Sequence, residues 1–426
     1  MISLALITAA LLLAPPEGPG RSDGSDGLLA IRVGRAETAS HGTIEHAVLL
    51  IEKGKIVAIG QDLSIERGIP VLDRPDWVAT PGFVHCATRI GLDSRSGNGF
   101  EPQQKASGEL YARQDVWAEV LEHGFTTLGL QPPGGGIPGQ SAAIRPRGKS
   151  AAEMILQDPA NLSITLSSNA GSKKMLRGAF EKVDEHDEKV KKEREKWDKE
   201  REKKKPKSKK DEEKKEGEAE GEKKEKVEEG PKFFVPPAPD AKVVPFIALR
   251  EKKLSALITI GSASDYLHLL DVISEEEFDW SLACDLRNDI DLWEITARVG
   301  ETGRRIVLSS EVTLQEGTRR ERNLPAEFQR AGAKVALVPN ADRVDSFENW
   351  RLDVGFLVAA GLDRDTALRA MTLEPAEVLG LGARLGSLDV GKDANILLWN
   401  GDPFEPRSEL QAILLEGDIV KGDVHR

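Results

Sequence analysis

The stretch Pro81-Gly82-Phe83-Val84-His85-Cys86-Ala87-Thr88-Arg89-Ile90-Gly91 decides how the rest of the chain is read. A run ending in Trp77-Val78-Ala79-Thr80 delivers an extended chain to Pro81-Gly82, and Phe83-Val84 continue it as a short apolar strand. Side chains alternate across a strand. Cys86, Thr88 and Ile90 are therefore expected on one face, with His85, Ala87, Arg89 and Gly91 on the other.

On the N-terminal side of this stretch the text is strand-like and broken by turns, at 29–33, 47–52, 55–60 and 69–73, with Lys53-Gly54 as a hairpin turn. Near the other end, 386–399 and 410–417 again read as strands, with Asp402-Pro403 turning between them. The middle differs. Strand-like runs at 243–248, 257–260, 279–284, 305–310 and 335–339 alternate with helical text, and 363–379 reads as a helix. Such alternation favours a parallel sheet closed as a barrel.

The chain has 426 residues, enough for one large domain and a smaller one. Lys and Arg number 59 against 71 Asp and Glu, a net charge of -12, which argues against a dedicated nucleic-acid binder. Cys86 and Cys284 lie far apart and form no metal spacing. Residues 2–14 are an apolar run too short to span a bilayer comfortably, followed by Pro15-Pro16 and a Gly/Ser/Asp-rich linker. An export signal is the expected reading, giving a periplasmic or secreted protein, with a retained membrane anchor as the alternative. The segment 178–239 reads as an insert: a charged helix with Glu-to-Lys pairs four apart, Pro206, then blocks of Lys and Glu. Such text buries too little apolar surface to offset its ordering entropy, so a solvated, disordered spacer is expected.

Pro-Gly-Phe-Val at 81–84 resembles the opening of the first barrel strand of amidohydrolases, whose usual text is Pro-Gly-Phe-Ile-Asp-x-His-x-His-x-Gly. Three further segments carry the resemblance. Leu385 to Ala394 is similar to the family's return from barrel to sandwich, 363–379 to its Ala-Leu-x-Ala-Met-Thr helix, and 118–130 to its Ala-Gly-Val-Thr-Thr-Val segment. The Gly-x-x-Gly-Gln-x-Ala-x-Ile text at 136–144 looks like the imidazolonepropionase-like branch. The resemblance implies an α/β fold: a (β/α)8 TIM barrel with a small β-sandwich made from both chain ends. It would place a signal and linker at 1–27, sandwich strands at 28–80 and 382–426, and the barrel at 81–381. Without its insert that barrel is roughly 240 residues long, an ordinary size.

The family hydrolyses non-peptide carbon–nitrogen bonds with zinc or another divalent metal. Here its ligand positions fall on Ala87, Arg89, Ala248 and Asn340. Ala and Arg cannot ligate a dication, and an amide oxygen is a poor zinc ligand and no base. No cofactor is therefore expected. Of seven histidines only His85 is expected at a barrel-strand end. The reading that follows is a non-catalytic homologue, a pseudoenzyme that keeps a small-molecule pocket. Arg89 and Asn340 would contact the ligand, and Arg89 would supply positive charge, paired with Asp285, Glu311 or an anionic ligand. One alternative is an active hydrolase of small amides using His85, Asp285 and Asp342. Another is an interaction protein acting through the charged insert. Expected partners are a small molecule, not nucleic acid, with homo-oligomers or pairing with an active homologue left open.

Overall fold

The computed structural model describes residues 27–92, 98–204, 233–284, 291–315 and 317–422. The expected leader (apart from Gly27), Asp285, the Lys/Glu blocks at 205–232 and His425 lie outside the described residues. Strands β1 (Leu29–Glu37), β2 (Thr43–Glu45), β3 (Ala47–Glu52), β4 (Lys55–Gln61) and β5 (Val71–Pro81) come first. The β3–β4 hairpin turns at Lys53-Gly54 with φ of 49° and 77°, the doubly left-handed turn that matches strand twist. Next come β6 (Phe83–Thr88), β7 (Asn98–Phe100), α1 (Val116–Glu122), β8 (Phe125–Leu130), β9 (Gly135–Ile137), β10 (Gly139–Gln140), β11 (Ala142–Ile144), α2 (Ala151–Met154), β12 (Ile155–Gln157), β13 (Asn161–Thr165) and α3 (Ala170–Lys204). After the insert follow α4 (Val244–Arg250), β14 (Ser255–Ile260), α5 (Ala263–Val272), β15 (Trp280–Cys284), α6 (Thr296–Thr302), β16 (Arg305–Ser309), β17 (Thr313–Leu314), β18 (Glu321–Arg322), α7 (Leu324–Arg330) and β19 (Lys334–Val338). The chain ends with α8 (Val344–Ala359), α9 (Arg364–Met371), α10 (Leu373–Val378), β20 (Ile396–Trp399), β21 (Leu410–Leu415) and β22 (Asp418–Lys421).

Both chain ends share one hydrogen-bonded sheet in the order β22-β21-β20-β5-β1-β3-β4, with β2 on β1. One face buries Ile31, Val33, Leu49, Ile56, Ile396, Leu398 and Leu414 together. The return segment is knitted onto this sheet by charge. Lys392 donates to Ser387 at 2.5 Å, and Asp393 accepts from Lys55 at 2.9 Å and Arg384 at 2.6 Å.

The staves of the barrel come from the strands between the two ends of the chain. β6 pairs with β8, and β13, β14, β15, β16 and β19 follow one another, all in parallel. Between β8 and β13 lies β10–β11, two short strands separated by Ser141, pairing antiparallel to both neighbours. The TIM-barrel class holds, with one of its eight staves reversed. The described ladders stop at β19 and β6, and a side-chain hydrogen bond spans the gap: Thr88 Oγ1 donates to Asp342, just past β19, at 2.6 Å. Val84, Cys86, Leu257, Ala283, Val307 and Ala336 fill the interior, which α10 closes from the other end with Ala376 and Leu379. Leu128, Leu130, Ile258, Leu282, Ile306 and Leu337 point outward against the helices.

Pro81-Gly82 is a junction between sheet and barrel. Pro81 pairs with Ile396 on β20, and a Cβ at Gly82 would sit 2.2 Å from Thr126 Oγ1, so the glycine permits that approach. Phe83 then packs against Phe125, Trp350 and Trp399, with centroids at 5.9, 5.4 and 5.9 Å, joining β6, β8, α8 and β20.

Three expectations change. Residues 243–248 are not a strand but the start of α4. Pro245 sits in its first turn, where a missing N–H costs nothing, and Phe246 and Leu249 bury one face. The stave on that side of β14 is β13, which the sequence reading passed over. The helix at 363–379 is two, broken at Thr372. The charged helix begins earlier than 178, since α3 buries Leu176, Ala179, Phe180 and Val183 as a helical stripe before it turns fully polar. Further along α3, Trp197 meets Phe234 of the returning chain at 6.0 Å.

Gly129 offers a test of the interior packing. A Cβ there would lie 2.4 Å from the Cys86 carbonyl and 2.6 Å from Leu379, and backbone cannot step aside cheaply. Gly129→Ala should lower the urea midpoint by an amount equivalent to about 1–3 kcal/mol. An unchanged midpoint would show that the staves are not packed in this register.

Candidate functional site

In a barrel of this kind, chemistry belongs where the parallel staves end. The inward parity can be read stave by stave. Leu128 and Leu130 pack outward, so Thr127, Gly129 and Gln131 point inward, as the reach from Gly129 to Leu379 confirms. By the same alternation Thr165, Thr259, Ser309 and Val338 crown their staves, with Thr165 opposite Thr259 and Ser309 opposite Val338. Ala87 packs on the interior cluster and completes the ring. Ala87, Thr165, Thr259, Ser309 and Val338 are half-buried, while Thr127, Gly129 and Gln131 are buried.

His85 does not belong to this ring. Its register with β8 shifts between His85 and Thr88, so strict alternation fails there. The expected face of His85, Ala87 and Arg89 is split: Ala87 shares the interior with Cys86, while the His85 ring lies between Phe125 and Phe347, at 6.3 and 5.4 Å. Nδ1 accepts from the Ala87 N–H at 3.3 Å, which leaves the proton of the neutral ring on Nε2. Nε2 has no hydrogen-bond partner among the described residues and stands 3.8 Å from Asp342 Oδ1. Burial pushes the His85 pKa down to about 4, with Asp342 pulling weakly the other way. Burial likewise pushes the Cys86 thiol up to about 12, so it is not a nucleophile.

The other expected residues are placed as follows. Asp342 is committed to the barrel seam, accepting from Thr88 Oγ1 at 2.6 Å and from the Arg89 N–H at 3.2 Å. The Arg89 side chain is exposed and donates to the Gly134 carbonyl at 3.2 Å, and among the described residues it forms no ion pair with Glu311. Glu311 instead accepts from Ser309 at 3.0 Å. Asn340 turns toward α8 and donates to Asp353 at 3.4 Å. Burial, and then the Glu311 charge, raise the Asp353 carboxyl above its ordinary range. Ser310 is taken up by the Val338 carbonyl and the Trp350 indole. Ala248 lies on α4, so it is not a stave-end position at all. His123 stands at the end of α1, just before Gly124.

A catalytic divalent ion needs three or four converging nitrogen or oxygen donors. Among the described residues no group of three or more His, Cys, Asp or Glu side chains comes together. Ala87 carries no donor, Arg89 is a cation, Asn340 faces a helix and His85 faces the aromatic layer. These residues do not fit a metal centre. The glycine run is packing too: a Cβ at Gly136 would meet the Gly99 carbonyl at 2.7 Å, and one at Gly139 the Gln104 carbonyl at 2.6 Å.

Two groups that the sequence reading missed are buried polar side chains with an unpaired atom, at and just beyond the end of β8. Gln131 donates through Nε2 to the Cys86 carbonyl at 3.2 Å, and its Oε1 is buried without a partner. Thr127 Oγ1, two residues earlier on the same face, is also buried and unpaired. Each unmet group of this kind costs on the order of 1–3 kcal/mol. Their only sequence signal was position, at and just beyond the end of a stave.

His85 makes stability depend on pH. Its folded pKa is lowered, so the unfolded chain binds the extra proton first, and stability falls as pH drops from about 6.5 to about 4. The loss is roughly 3 kcal/mol over that window. His85→Phe, which fits the aromatic layer, should flatten this part of the stability–pH curve measured by urea denaturation. An unchanged slope would mean that the ring is not buried as a neutral group.

Residues 340–424 match the amidohydrolase family. Amidohydrolase tasK from Hapsidospora irregularis is 46% identical over 44 residues, which are 10% of this chain and 4% of that protein. Among solved structures, an amidohydrolase from Thermotoga maritima superposes with a TM-score of 0.73 at 20% identity, covering 93% of this chain and 100% of that one. A prolidase complexed with N-methylphosphonate-L-proline superposes at 0.52 with 12% identity, covering 93% and 100%. The family match runs from the end of the last stave through the returning strands, and the fold over most of the chain is similar to that of an amidohydrolase of known structure.

Proposed function

We propose that this chain is a non-hydrolytic amidohydrolase that keeps the barrel mouth as a pocket for a small molecule. The observation that carries the proposal is the fate of Asp342. It is the nearest carboxylate to the end of the last stave, and both its oxygens are engaged by Thr88 and Arg89 of the first. Taking a proton from an attacking water would compete with the two bonds that Asp342 accepts across the barrel seam. The text at 136–144 supports a place in the imidazolonepropionase-like branch, and the apolar run at 2–14 supports export.

One observation favours a hydrolytic reading instead. His85 Nε2 and Asp342 Oδ1 are 3.8 Å apart, within reach of a hydrogen bond after a small movement. The two readings separate in an assay of the full-length chain against small linear and cyclic amides, with and without added zinc. No turnover above buffer is expected. Turnover that disappears in His85→Ala would establish the rearranged hydrolase and end the non-hydrolytic reading.

A further inference from the structure

The chain returns from the insert through Phe233-Phe234-Val235-Pro236-Pro237-Ala238-Pro239. Residues 234–240 belong to no helix or strand. Each proline fixes its own φ near about −65° and restricts the residue before it to extended or polyproline II backbone. Val235, Pro236 and Ala238 all precede a proline. The stretch is therefore a short polyproline II rod, three-sided because it has three residues per turn. Its edges are 234/237, 235/238 and 236/239.

Exposure follows that period. Phe234 and Pro237 are half-buried, and Phe234 meets Trp197 of α3 at 6.0 Å. Val235 and Ala238 are exposed, Val235 at 73%. Pro236 is exposed and Pro239 half-buried. One edge thus rests on α3, and the Val235-Pro236 and Ala238-Pro239 pairs lie on the other two. The support is built for this. Beyond Val183 the only apolar residues of α3 are Val190 and Trp197, two turns apart and both half-buried. Arg201 stacks on the Trp197 ring at 4.7 Å. Trp197 stands roughly 20 Å along the helix from Val183, which holds the rod away from the barrel.

Two apolar-residue–proline pairs one turn apart are the surface that an aromatic-lined groove reads, each pair filling one slot between rings. The contact with α3 orders the rod before any partner arrives, which lowers the entropy lost on association. We propose that residues 235–239, in place on α3, dock into the aromatic groove of a partner domain that recognises polyproline II segments. The interaction does not depend on whether the barrel mouth hydrolyses anything.

The test is isothermal titration of the full-length chain with three purified polyproline readers, an SH3, a WW and an EVH1 domain. At least one should bind saturably. Replacing Pro236→Ala and Pro239→Ala together should weaken that binding about tenfold or more, with the urea midpoint unchanged. A synthetic peptide of residues 233–240 should bind about threefold or more weakly than the chain, and Trp197→Ala should bring the chain to the peptide's affinity. Binding by none of the three domains, or binding that survives the proline replacements, would overturn the proposal. Equal affinity of chain and peptide would overturn the ordering role of α3. Co-sedimentation with phosphatidylglycerol vesicles in place of domain binding would instead assign the exposed Phe233 and Val235 to a lipid surface and end the proposal.

Discussion

The carboxylate of Asp342 holds the first and last staves together. A barrel must join its ends, and here the described backbone ladders stop short of doing so. Two hydrogen bonds do the joining, from the Thr88 hydroxyl and the Arg89 N–H, and both reach across more than 250 residues of chain. The hydroxyl bond is short, and a bond from a donor to an ionised acceptor is stronger than its neutral counterpart. On the non-hydrolytic reading proposed above, this structural contact takes the place where the fold's chemistry would otherwise sit.

Around that seam the local choices agree. Gly82 and Gly129 let stave and neighbour approach without a Cβ between them. Phe83, Phe125, Trp350 and Trp399 lock the first stave to the end sheet and to α8. His85 is drawn into this layer, where a neutral imidazole packs like another ring and where charging it costs stability. The segments that most resemble the family, such as Leu385 to Ala394, prove to be structural: Ser387, Lys392 and Asp393 bond one another and the sheet rather than any site. This is why the resemblance identifies the architecture so much better than it identifies an activity.

Much of the fold was legible because its signals are local. The Lys53-Gly54 turn, the Pro81-Gly82 junction and the apolar runs of β14, β15, β16 and β19 each declare themselves within a few residues. The errors have physical causes. Val243-Val244 looked like a strand because β-branched residues favour one, but Pro245 in a first turn and a buried Phe246–Leu249 face make a helix. β13 reads Asn-Leu-Ser-Ile-Thr, and its inward Ser163 and Thr165 disguise a stave whose apolar residues face the helices. The site was harder still. Strict alternation put His85 beside Ala87, and the register shift after His85 places Ala87 in the interior with Cys86 instead. Gln131 carries no motif, and only the three-dimensional hydrogen-bond balance marks it out.

The account turns on the statement that no divalent cation is seated at the end of the last stave. The most direct measurement is the metal content of the full-length chain, purified without chelators, dialysed against zinc and then against buffer, and read by inductively coupled plasma mass spectrometry. The account predicts far less than one ion per chain. One tightly held equivalent, reduced on changing Asp342 to Ala, would contradict it.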